Sequence, residues 1–418
     1  MNNKIAINLE LSDIEIIEVN IDEKGNYHIN IRSTKTTGTC HKCNCEIDKL
    51  HSYDREMEIR HLPIFEKECY LHIKLPRYQC DSCHKQPKTT QQVSWRRYNS
   101  SNSKDFENYI LKSLVNSTVS DVSRKENIGE GVVSRILESY YPDKIDWENF
   151  DNLGQIGIDE IALKKGHKDF VTIVSSRVGE EIRIIGVLKD RKKATILEFF
   201  KEIPKKLKKT VDSVCSDLYD GFINAAIEVF GKKIRIVIDR FHVAKLYRKS
   251  VDNVRKQEMK RLRKELSKKE YDQLKNAMWV LRKPESELTD RNKFLLIILF
   301  KHSEKLKKVY ELSQDLTDIF ETQTTRNGGI RRLKNWIKKV QNSTITSFNT
   351  FVKTLSKRLN EIANYFVKRE SSGFVEGINN RIKVLKRRCY GIVDRVSLFR
   401  RISLDMGNKH LLPILINK

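Results

Sequence analysis

The sequence of 418 residues predicts a multidomain α/β protein. Three patterns support this: two C-x2-C pairs near the N-terminus, a helical period over about residues 105–137, and short β-branched runs between 156 and 238 that alternate with helical stretches. We predict N-terminal strands with a metal-binding finger, a helix-turn-helix region, a mixed-sheet core in two parts and a helical insertion. The strands and finger occupy residues 1–100, and the helix-turn-helix region occupies 101–150. The two parts of the core are 151–243 and 371–418, and the insertion between them is 244–370.

The charge balance indicates a polyanionic partner. Eighty Lys and Arg residues stand against fifty-five Asp and Glu residues, a formal net charge of +25. An excess of this size, spread over the whole length, favours DNA or RNA as the partner. The alternative is a basic surface without a ligand. No apolar run approaches the ~20 residues of a membrane span, and the first residues are not a signal peptide, so we expect a cytoplasmic, nucleoid-associated protein with reduced thiols.

The cysteine spacing predicts a structural zinc site. Each C-x2-C pair offers two thiolates from one tight turn, and a tetrahedral Zn²⁺ site takes two such turns. A site of four thiolates leaves no open position for chemistry, so the ion is expected to be structural. The predicted ligands are Cys40, Cys43, Cys80 and Cys83. Cys45 and Cys69 are additional candidates, more simply explained as buried thiols. His41, His61 and His84 could each replace a cysteine ligand but are more simply surface or packing residues.

Alternating apolar and polar residues predict two antiparallel strands within residues 1–35, joined by a turn at 23–26. A second strand–turn–strand unit lies between the cysteine pairs, at 56–63 and 69–75. We expect this finger to fold only with its metal, because it is too small to bury much core. The basic residues expected to grip DNA beside it are Lys42, Arg77, Lys85 and Lys88.

Residues 86–104 are polar and predict a linker. From Asp105 the period becomes helical, and two short helices around a turn with Gly129 predict a helix-turn-helix. Any small helical bundle is the alternative. Pro142 ends the segment, and Trp147 is expected to pack at its junction with the core.

The next part of the chain predicts a mixed sheet. Short apolar runs joined by charged or Gly turns at 164–169 and 178–181 predict strands at 156–159, 170–174, 182–187, 211–215 and 234–238, with helices at 194–203 and 222–230. The order β-β-β-α-β-α-β is that of the RNase H-like fold. In this fold a carboxylate on the first strand lies next to one at the end of the fourth, which here are Asp159 and Asp217. Glu160 faces the other side of its strand and is expected to be structural.

Phosphodiester hydrolysis or transfer explains why two such acids would be paired. Two Mg²⁺ ions about 4 Å apart serve this chemistry, and Mg²⁺ takes oxygen ligands rather than thiols. A cap or ion-pair role is the alternative for each aspartate.

A third acid follows the insertion, on a helix after residues 371–373. Its apolar face carries Phe374, Ile378, Ile382 and Leu385, and another face carries Glu376, Asn380, Lys383 and Arg387 at steps of 4, 3 and 4. We interpret the second face as a carboxylate followed by groups that hold a phosphate backbone; a surface Glu is the alternative. If Glu376 lies far from the aspartates, Glu370 or Asp239 becomes the third ligand.

Between these acids, residues 244–370 predict a Lys- and Arg-rich helical insertion, with helices at 247–269, 291–308 and 330–340 and an interruption at Gly328-Gly329. Its basic faces either contact DNA or are only solvated. Trp336 is either a core residue or a stacking partner for a flipped base.

These motifs together resemble the DDE-type insertion-sequence transposases of the ISL-three family. The resemblance covers nearly the whole chain and is carried by the two C-x2-C pairs, the Gly-Ile-Asp-Glu run at 157–160, Cys-Ser-Asp-Leu-Tyr at 215–219, Asp-Arg-Phe-His-Val at 239–243 and Ser-Gly-Phe-Val-Glu-Gly-Ile-Asn-Asn at 372–380. Asp239 and His242 resemble a motif shared with Mutator-type transposases, where it supports the active site or contacts DNA.

The resemblance implies a DNA transposase that binds terminal inverted repeats and catalyses strand cleavage and strand transfer. It implies Mg²⁺ or Mn²⁺ at Asp159, Asp217 and Glu376, and a homodimer or larger assembly on DNA. The alternative is a zinc-finger and helix-turn-helix regulator whose RNase H-like core is inactive.

Overall fold

The computed structural model describes residues 9–163, 169–369, 373–389, 392 and 394–406. These residues form two compact units, one of residues 9–142 with Arg388 and Cys389, and one of the other described residues from 143 to 406. Most of the predicted turn at 164–169, together with Glu370 and Ser371-Ser372, lies outside the described residues. No helix in the described ranges is both long and apolar enough to cross a membrane.

The first unit begins with nine strands. They are β1 (Ile14–Ile21), β2 (Tyr27–Ser33), β3 (Gly38–Thr39), β4 (Glu46–Ile47), β5 (Leu50–Tyr53), β6 (Met57–Ile64), β7 (Lys67–Ile73), β8 (Pro76–Gln79) and β9 (Lys88–Thr90). A four-stranded sheet has the order β1-β2-β7-β6, a three-stranded sheet the order β5-β8-β9, and β3 pairs with β4. The predicted N-terminal hairpin is confirmed, and its turn contains Gly25 at φ 83°, a left-handed conformation that favours glycine.

Two expectations for this region are wrong. The strands between the cysteine pairs, β6 and β7, do not form a small isolated finger. They belong to the four-stranded sheet, whose buried face includes Ile29, Ile59 and Leu71. Because the four-stranded sheet buries an apolar core of its own, the folding of this sheet does not have to depend on bound metal. The predicted linker at 86–104 is also partly ordered, since residues 88–90 form β9 on the edge of a sheet.

Three helices complete the first unit: α1 (Lys104–Leu114), α2 (Val119–Lys125) and α3 (Glu130–Tyr140). The second and third form the predicted helix-turn-helix. Thr118 caps α2 by accepting a hydrogen bond from the Asp121 amide, which satisfies an otherwise unpaired helix donor. The left-handed residue of the turn is Asn127 (φ 50°) rather than Gly129, consistent with the tolerance of Asn for that region.

The second unit is built on one mixed sheet. Its strands are β10 (Gly154–Ala162), β11 (Phe170–Val178), β12 (Glu181–Leu188), β13 (Val211–Ser216) and β14 (Arg235–Ile238), in the order β12-β11-β10-β13-β14. The first three strands are antiparallel, and β10, β13 and β14 are parallel. This is the predicted RNase H-like arrangement, and its strands carry the β-branched runs from which it was predicted.

Helices surround and follow this sheet. They are α4 (Lys193–Glu202), α5 (Lys205–Lys208), α6 (Asp220–Phe230), α7 (Arg240–Glu265), α8 (Lys268–Gln273), α9 (Ala277–Val280), α10 (Asp290–His302), α11 (Glu304–Glu321), α12 (Arg326–Gln341), α13 (Asn349–Lys357), α14 (Leu359–Ala363), α15 (Tyr365–Lys368), α16 (Gly373–Arg388) and α17 (Arg395–Asp405). The sheet and the insertion share a continuous buried core.

The insertion is helical as predicted, with two differences. Gly328 and Gly329 do not interrupt it but lie in the first turn of α12, where Gly329 packs against the Phe366 ring. The predicted helix over 291–308 is two helices, because Ser303 caps a new one by accepting from the Leu306 amide. Trp336 is a core residue: its ring is buried, and Nε1 donates to the Leu312 carbonyl at 2.8 Å.

Candidate active site

Three aspartates lie at the same level on three neighbouring parallel strands, one within β10 and the other two just beyond the ends of β13 and β14. The sheet register pairs Gly157 of β10 with Cys215 of β13, and Cys215 with Val237 of β14. The aspartates follow two residues beyond each of these partners. They are Asp159, Asp217 and Asp239. Because the register aligns these positions across the three strands, the three acids form a row.

Two of these acids also organise the chain that follows them. Asp217 Oδ1 accepts a hydrogen bond from the Tyr219 amide at 2.9 Å. Asp239 Oδ1 accepts from the Phe241 amide at 2.9 Å and caps α7. Asp239 therefore has a cap role, whereas Asp217 closes a turn before α6 without capping that helix, and each contact fixes its carboxylate through one oxygen.

Asp159 is half-buried within this row. Its Oδ1 accepts from the Glu160 amide at 2.8 Å, and its Oδ2 accepts from Asn379 Nδ2 at 2.6 Å. Burial raises the pKa of the Asp159 carboxyl above its ordinary value; the nearby Asp217 and Asp239 carboxylates also raise it, and His242 acts in the opposite direction. Mutual repulsion of this kind is what a bound cation would relieve.

Helix α16 packs directly on the strand that carries Asp159. A Cβ added at Gly157 would lie 2.8 Å from Phe374 Cζ and in closer conflict with Val375 Cγ2. One turn further along the helix, Asn379 reaches Asp159. The predicted apolar face is confirmed, since Ile378, Ile382 and Leu385 are buried and Phe374 is half-buried.

Glu376 lies on this same helix, three residues before Asn379, with an exposed side chain. Together with Asp239 it lines a cleft of about 800 Å³. Basic side chains also line this cleft: Arg240, Arg248, Arg282, Lys283 and Arg369. Such a cleft suits a substrate with phosphate groups.

The distances limit how a metal could be shared. Within the described residues, the oxygens of Asp159, Asp217 and Glu376 do not form a group in which all lie within 4.8 Å of one another. Three carboxylates that divide between two ions about 4 Å apart do not all need to lie within 4.8 Å of one another. The donor set consists only of oxygens, as Mg²⁺ prefers.

The other predicted polar residues of α16 lie on its exposed face, namely Asn380, Lys383 and Arg387. His242 Nε2 lies 3.7 Å from Asp239 Oδ2. Glu160 pairs with Arg191 at 3.2 Å. Burial raises the pKa of the Glu160 carboxyl, and the Asp217 carboxylate raises it further while Arg191 lowers it.

Two residues of this site were missed from the sequence. Asn379 is buried and contacts Asp159, and Lys386 Nζ donates to the Ala162 carbonyl at the end of β10. The available signal was the spacing of Val375, Asn379 and Ile382, which places a polar residue inside a buried stripe. A polar side chain at such a position needs a partner, which points to a specific contact.

In the first unit, four cysteines form a separate cluster. Their sulfur atoms all lie within 4.8 Å of one another, with 4.0 Å between Cys40 and Cys83 and 3.7 Å between Cys43 and Cys80. Two sulfurs bound at 2.3 Å to one tetrahedral Zn²⁺ are about 3.8 Å apart. Amide groups of Cys43 and Lys42 point at the Cys40 sulfur and lower the pKa of its thiol to about 6. The cluster therefore fits a structural zinc ion.

The extra cysteines and histidines lie apart from this cluster. The expectation of a buried thiol is wrong for Cys45, which is exposed and has its Sγ 3.7 Å from the Cys43 carbonyl. Cys69 is buried in the four-stranded sheet, and burial raises the pKa of its thiol to about 11. His41 Nδ1 lies 2.8 Å from Thr89 Oγ1 and His61 Nδ1 lies 2.8 Å from Ser103 Oγ, while His84 is exposed.

Three family models match successive parts of the chain. The zinc finger of the transposases IS204/IS1001/IS1096/IS1165 matches residues 36–83, and the helix-turn-helix domain of transposase family ISL3 matches residues 91–141. The ISL3 model described as a transposase matches residues 156–402, which is more than half of the chain.

Individual proteins are similar over nearly the full length. The transposase for insertion sequence element IS1001 of Bordetella parapertussis is 27% identical over 391 residues, 93% of this chain and 94% of that protein. The transposase for insertion sequence element IS1557 of Mycobacterium tuberculosis is 23% identical over 427 aligned residues, 96% of this chain and 94% of that protein.

Proposed function

Because the chain belongs to the ISL3 (ISL-three) family of insertion-sequence transposases, we propose that it cuts and joins DNA with Asp159, Asp217 and Glu376 as its metal-binding acids. In the first reaction, water attacks a phosphodiester at an end of the element and releases a 3′ hydroxyl. In the second, that hydroxyl attacks target DNA. Mg²⁺ or Mn²⁺ held by the three carboxylates would activate the attacking oxygen and stabilise the leaving one.

The observation that carries this proposal is the hydrogen bond between Asn379 and Asp159. It anchors α16, the helix of Glu376, on the strand of the first aspartate, although 217 and 376 are separated by the whole insertion. Asn379 acts as a positioning residue that holds the Asp159 carboxylate in one orientation.

Neighbouring residues have supporting roles in this proposal. Asp239 caps α7 and faces His242, and both border the site where DNA would lie. The exposed side chains of Asn380, Lys383 and Arg387 would contact the phosphate backbone beside it. The four cysteines would bind structural zinc. The helix-turn-helix would bind the terminal inverted repeats, with the chain acting as a homodimer or larger assembly on DNA.

The test uses an oligonucleotide duplex that carries the end of the element. Asp217→Asn should bind this duplex like the unmodified protein but lose Mg²⁺-dependent cleavage by at least about 100-fold, since a metal ligand is removed. Asp212→Asn is the matched control, because Asp212 is exposed on the same strand. Cleavage retained by Asp217→Asn would reject the assignment, and absence of cleavage in the unmodified protein under all metal conditions would favour the regulator.

A further inference from the structure

The polar face of the four-stranded sheet in the first unit carries a second group of potential metal ligands. The sheet register places Glu58 of β6 opposite His72 of β7, and Asn30 of β2 on the other side of His72. His28 lies two residues before Asn30 and therefore on the same face. The opposite face is apolar and buried.

Three side chains of this face converge on one point. His28 Nδ1 lies 2.9 Å from His72 Nε2, and His72 Nε2 lies 3.9 Å from Glu58 Oε2. Ligand atoms of all three residues lie within 4.8 Å of one another. Two nitrogens that each lie 2.0–2.1 Å from one ion are about 3.0–3.4 Å apart, so only a small adjustment is needed to admit an ion between the imidazoles.

The outer partners of His28 are also in place. Its other ring nitrogen, Nε2, lies 3.6 Å from Asp22 Oδ2, and its ring stacks on Tyr70 with centroids 5.2 Å apart. Asp22 is itself fixed by hydrogen bonds from the amides of Lys24 and Asn26. A carboxylate beside the distal nitrogen of a histidine favours the tautomer that leaves the inner nitrogen free to bind a metal.

We propose that His28, His72 and Glu58 form a second site for a divalent ion of the zinc class, distinct from the four-cysteine site and from the catalytic acids. Two imidazoles and one carboxylate suit Zn²⁺, and water would complete the coordination. In the tautomer that Asp22 favours for His28, the proton between the rings belongs to Nε2 of His72 when no ion is bound. Ion binding would move that proton to Nδ1 of His72 by exchange with solvent.

This ion would join three strands of one sheet. Parallel strands β2 and β7 and antiparallel strand β6 each contribute one ligand, so the ion acts as a cross-link on the polar face of the sheet. Because the ion would bind only the folded sheet, the melting temperature of the first unit should rise with the logarithm of ion concentration once that concentration exceeds the dissociation constant.

The experiment measures zinc and cobalt binding to the full-length protein in excess Mg²⁺, which would compete for the proposed catalytic acids. The unmodified protein is expected to bind two equivalents of Zn²⁺. With Co²⁺, the equivalent bound at the cysteine site gives a thiolate charge-transfer absorption. The second equivalent should bind without increasing that absorption. His72→Gln should bind one equivalent. The control His51→Gln should bind two, because His51 is exposed and forms a hydrogen bond with the neighbouring Ser52.

Glu58→Gln provides a second variant, chosen because the Glu58 side chain is 55% exposed and its isosteric replacement should disturb the fold little. This substitution should weaken the affinity for the second equivalent of Zn²⁺ by at least about 10-fold. One equivalent in the unmodified protein, or equal binding by His72→Gln and His51→Gln, would overturn the proposal.

Discussion

Asn379 Nδ2 donates to Asp159 Oδ2 at 2.6 Å, and this bond sets the phase of helix α16 on the central strand. Gly157 and Asp159 lie on one face of β10, about 6.6 Å apart at 3.3 Å per residue. Val375 and Asn379 are separated by about 6.0 Å at 1.5 Å per residue. One helical turn thus matches two strand residues, so apolar packing at Gly157 and the polar contact at Asp159 form together.

Replacing Asn379 by Ala should reduce cleavage of element ends by about 10- to 100-fold, the usual effect of losing a partner that orients a metal ligand. The concentration of Mg²⁺ needed for half-maximal cleavage should rise, while binding to the DNA end should not change. A Mg²⁺ titration of the cleavage rate distinguishes this positioning role from general loss of structure.

The control for this experiment is Asn335→Ala, because Asn335 is exposed on α12. It should cleave as the unmodified protein does. If Asn379→Ala loses rate but keeps the same Mg²⁺ dependence, Asn379 does not act through Asp159.

Removal of zinc should unfold only part of the first unit. Cys43→Ser removes one ligand and should weaken zinc binding by at least about 100-fold. The small core around Cys40, Ile47 and Tyr78 should then lose hydrogen-exchange protection, whereas β6 and β7 should keep it because they belong to the other apolar core.

Cys45→Ser is the matched control for zinc loss, since Cys45 is exposed and lies two residues away. It should retain the ion and the protection pattern. Loss of protection throughout the four-stranded sheet in Cys43→Ser would instead restore the idea that the whole region folds around the metal.

Acid should weaken the contact between the four-stranded sheet and the helix-turn-helix. Burial by itself raises the pKa of Glu68, but hydrogen bonds from Arg60, Tyr70 and Asn127 outweigh it and lower the pKa to about 2. The Glu68 side chain is only 19% exposed. A pKa lowered in the folded state gives stability that is complete above the unfolded value of about 4.5 and is lost as pH falls toward about 2.

That shift corresponds to about 3 kcal/mol. Glu68→Gln should therefore unfold more readily at pH 7 and show a flatter decline in stability between pH 5 and 2. Hydrogen exchange of residues 57–75 as a function of pH measures this. Glu66→Gln, exposed in the same hairpin, should keep the slope of the unmodified protein; an unchanged slope in Glu68→Gln would contradict the linkage.

The sheet could be predicted from the sequence because its strands are short β-branched runs and its parallel strands have to end at one edge. The strand order, which is that of the RNase H-like fold, then placed Asp159 beside Asp217. The apolar face of α16 could be predicted, but the contact between Asn379 and Asp159 could not, since a polar residue inside a buried stripe finds its partner only when the helix docks on the sheet. Gly328 was misjudged for a related reason: local propensity disfavours glycine in helices, but packing of the neighbouring Gly329 against Phe366 outweighs it.

Gly157→Ala should separate Glu376 from Asp159 by pushing α16 off its strand. The added methyl group would lie 2.7 Å from Ser175 Oγ and 2.8 Å from Phe374 Cζ, and would also clash with Val375. Overpacking of this kind costs about 1–3 kcal/mol, and a displacement of about 1 Å at a catalytic group can cost 100-fold in rate. We expect a lower melting temperature and a loss of cleavage on that scale, with end binding retained.

Gly377→Ala is the matched control on α16, because no atom lies within 4 Å of its added methyl group. This variant should gain up to about 1 kcal/mol of stability from helix propensity and should cleave normally. Normal cleavage by Gly157→Ala would show that the catalytic acids do not depend on this contact.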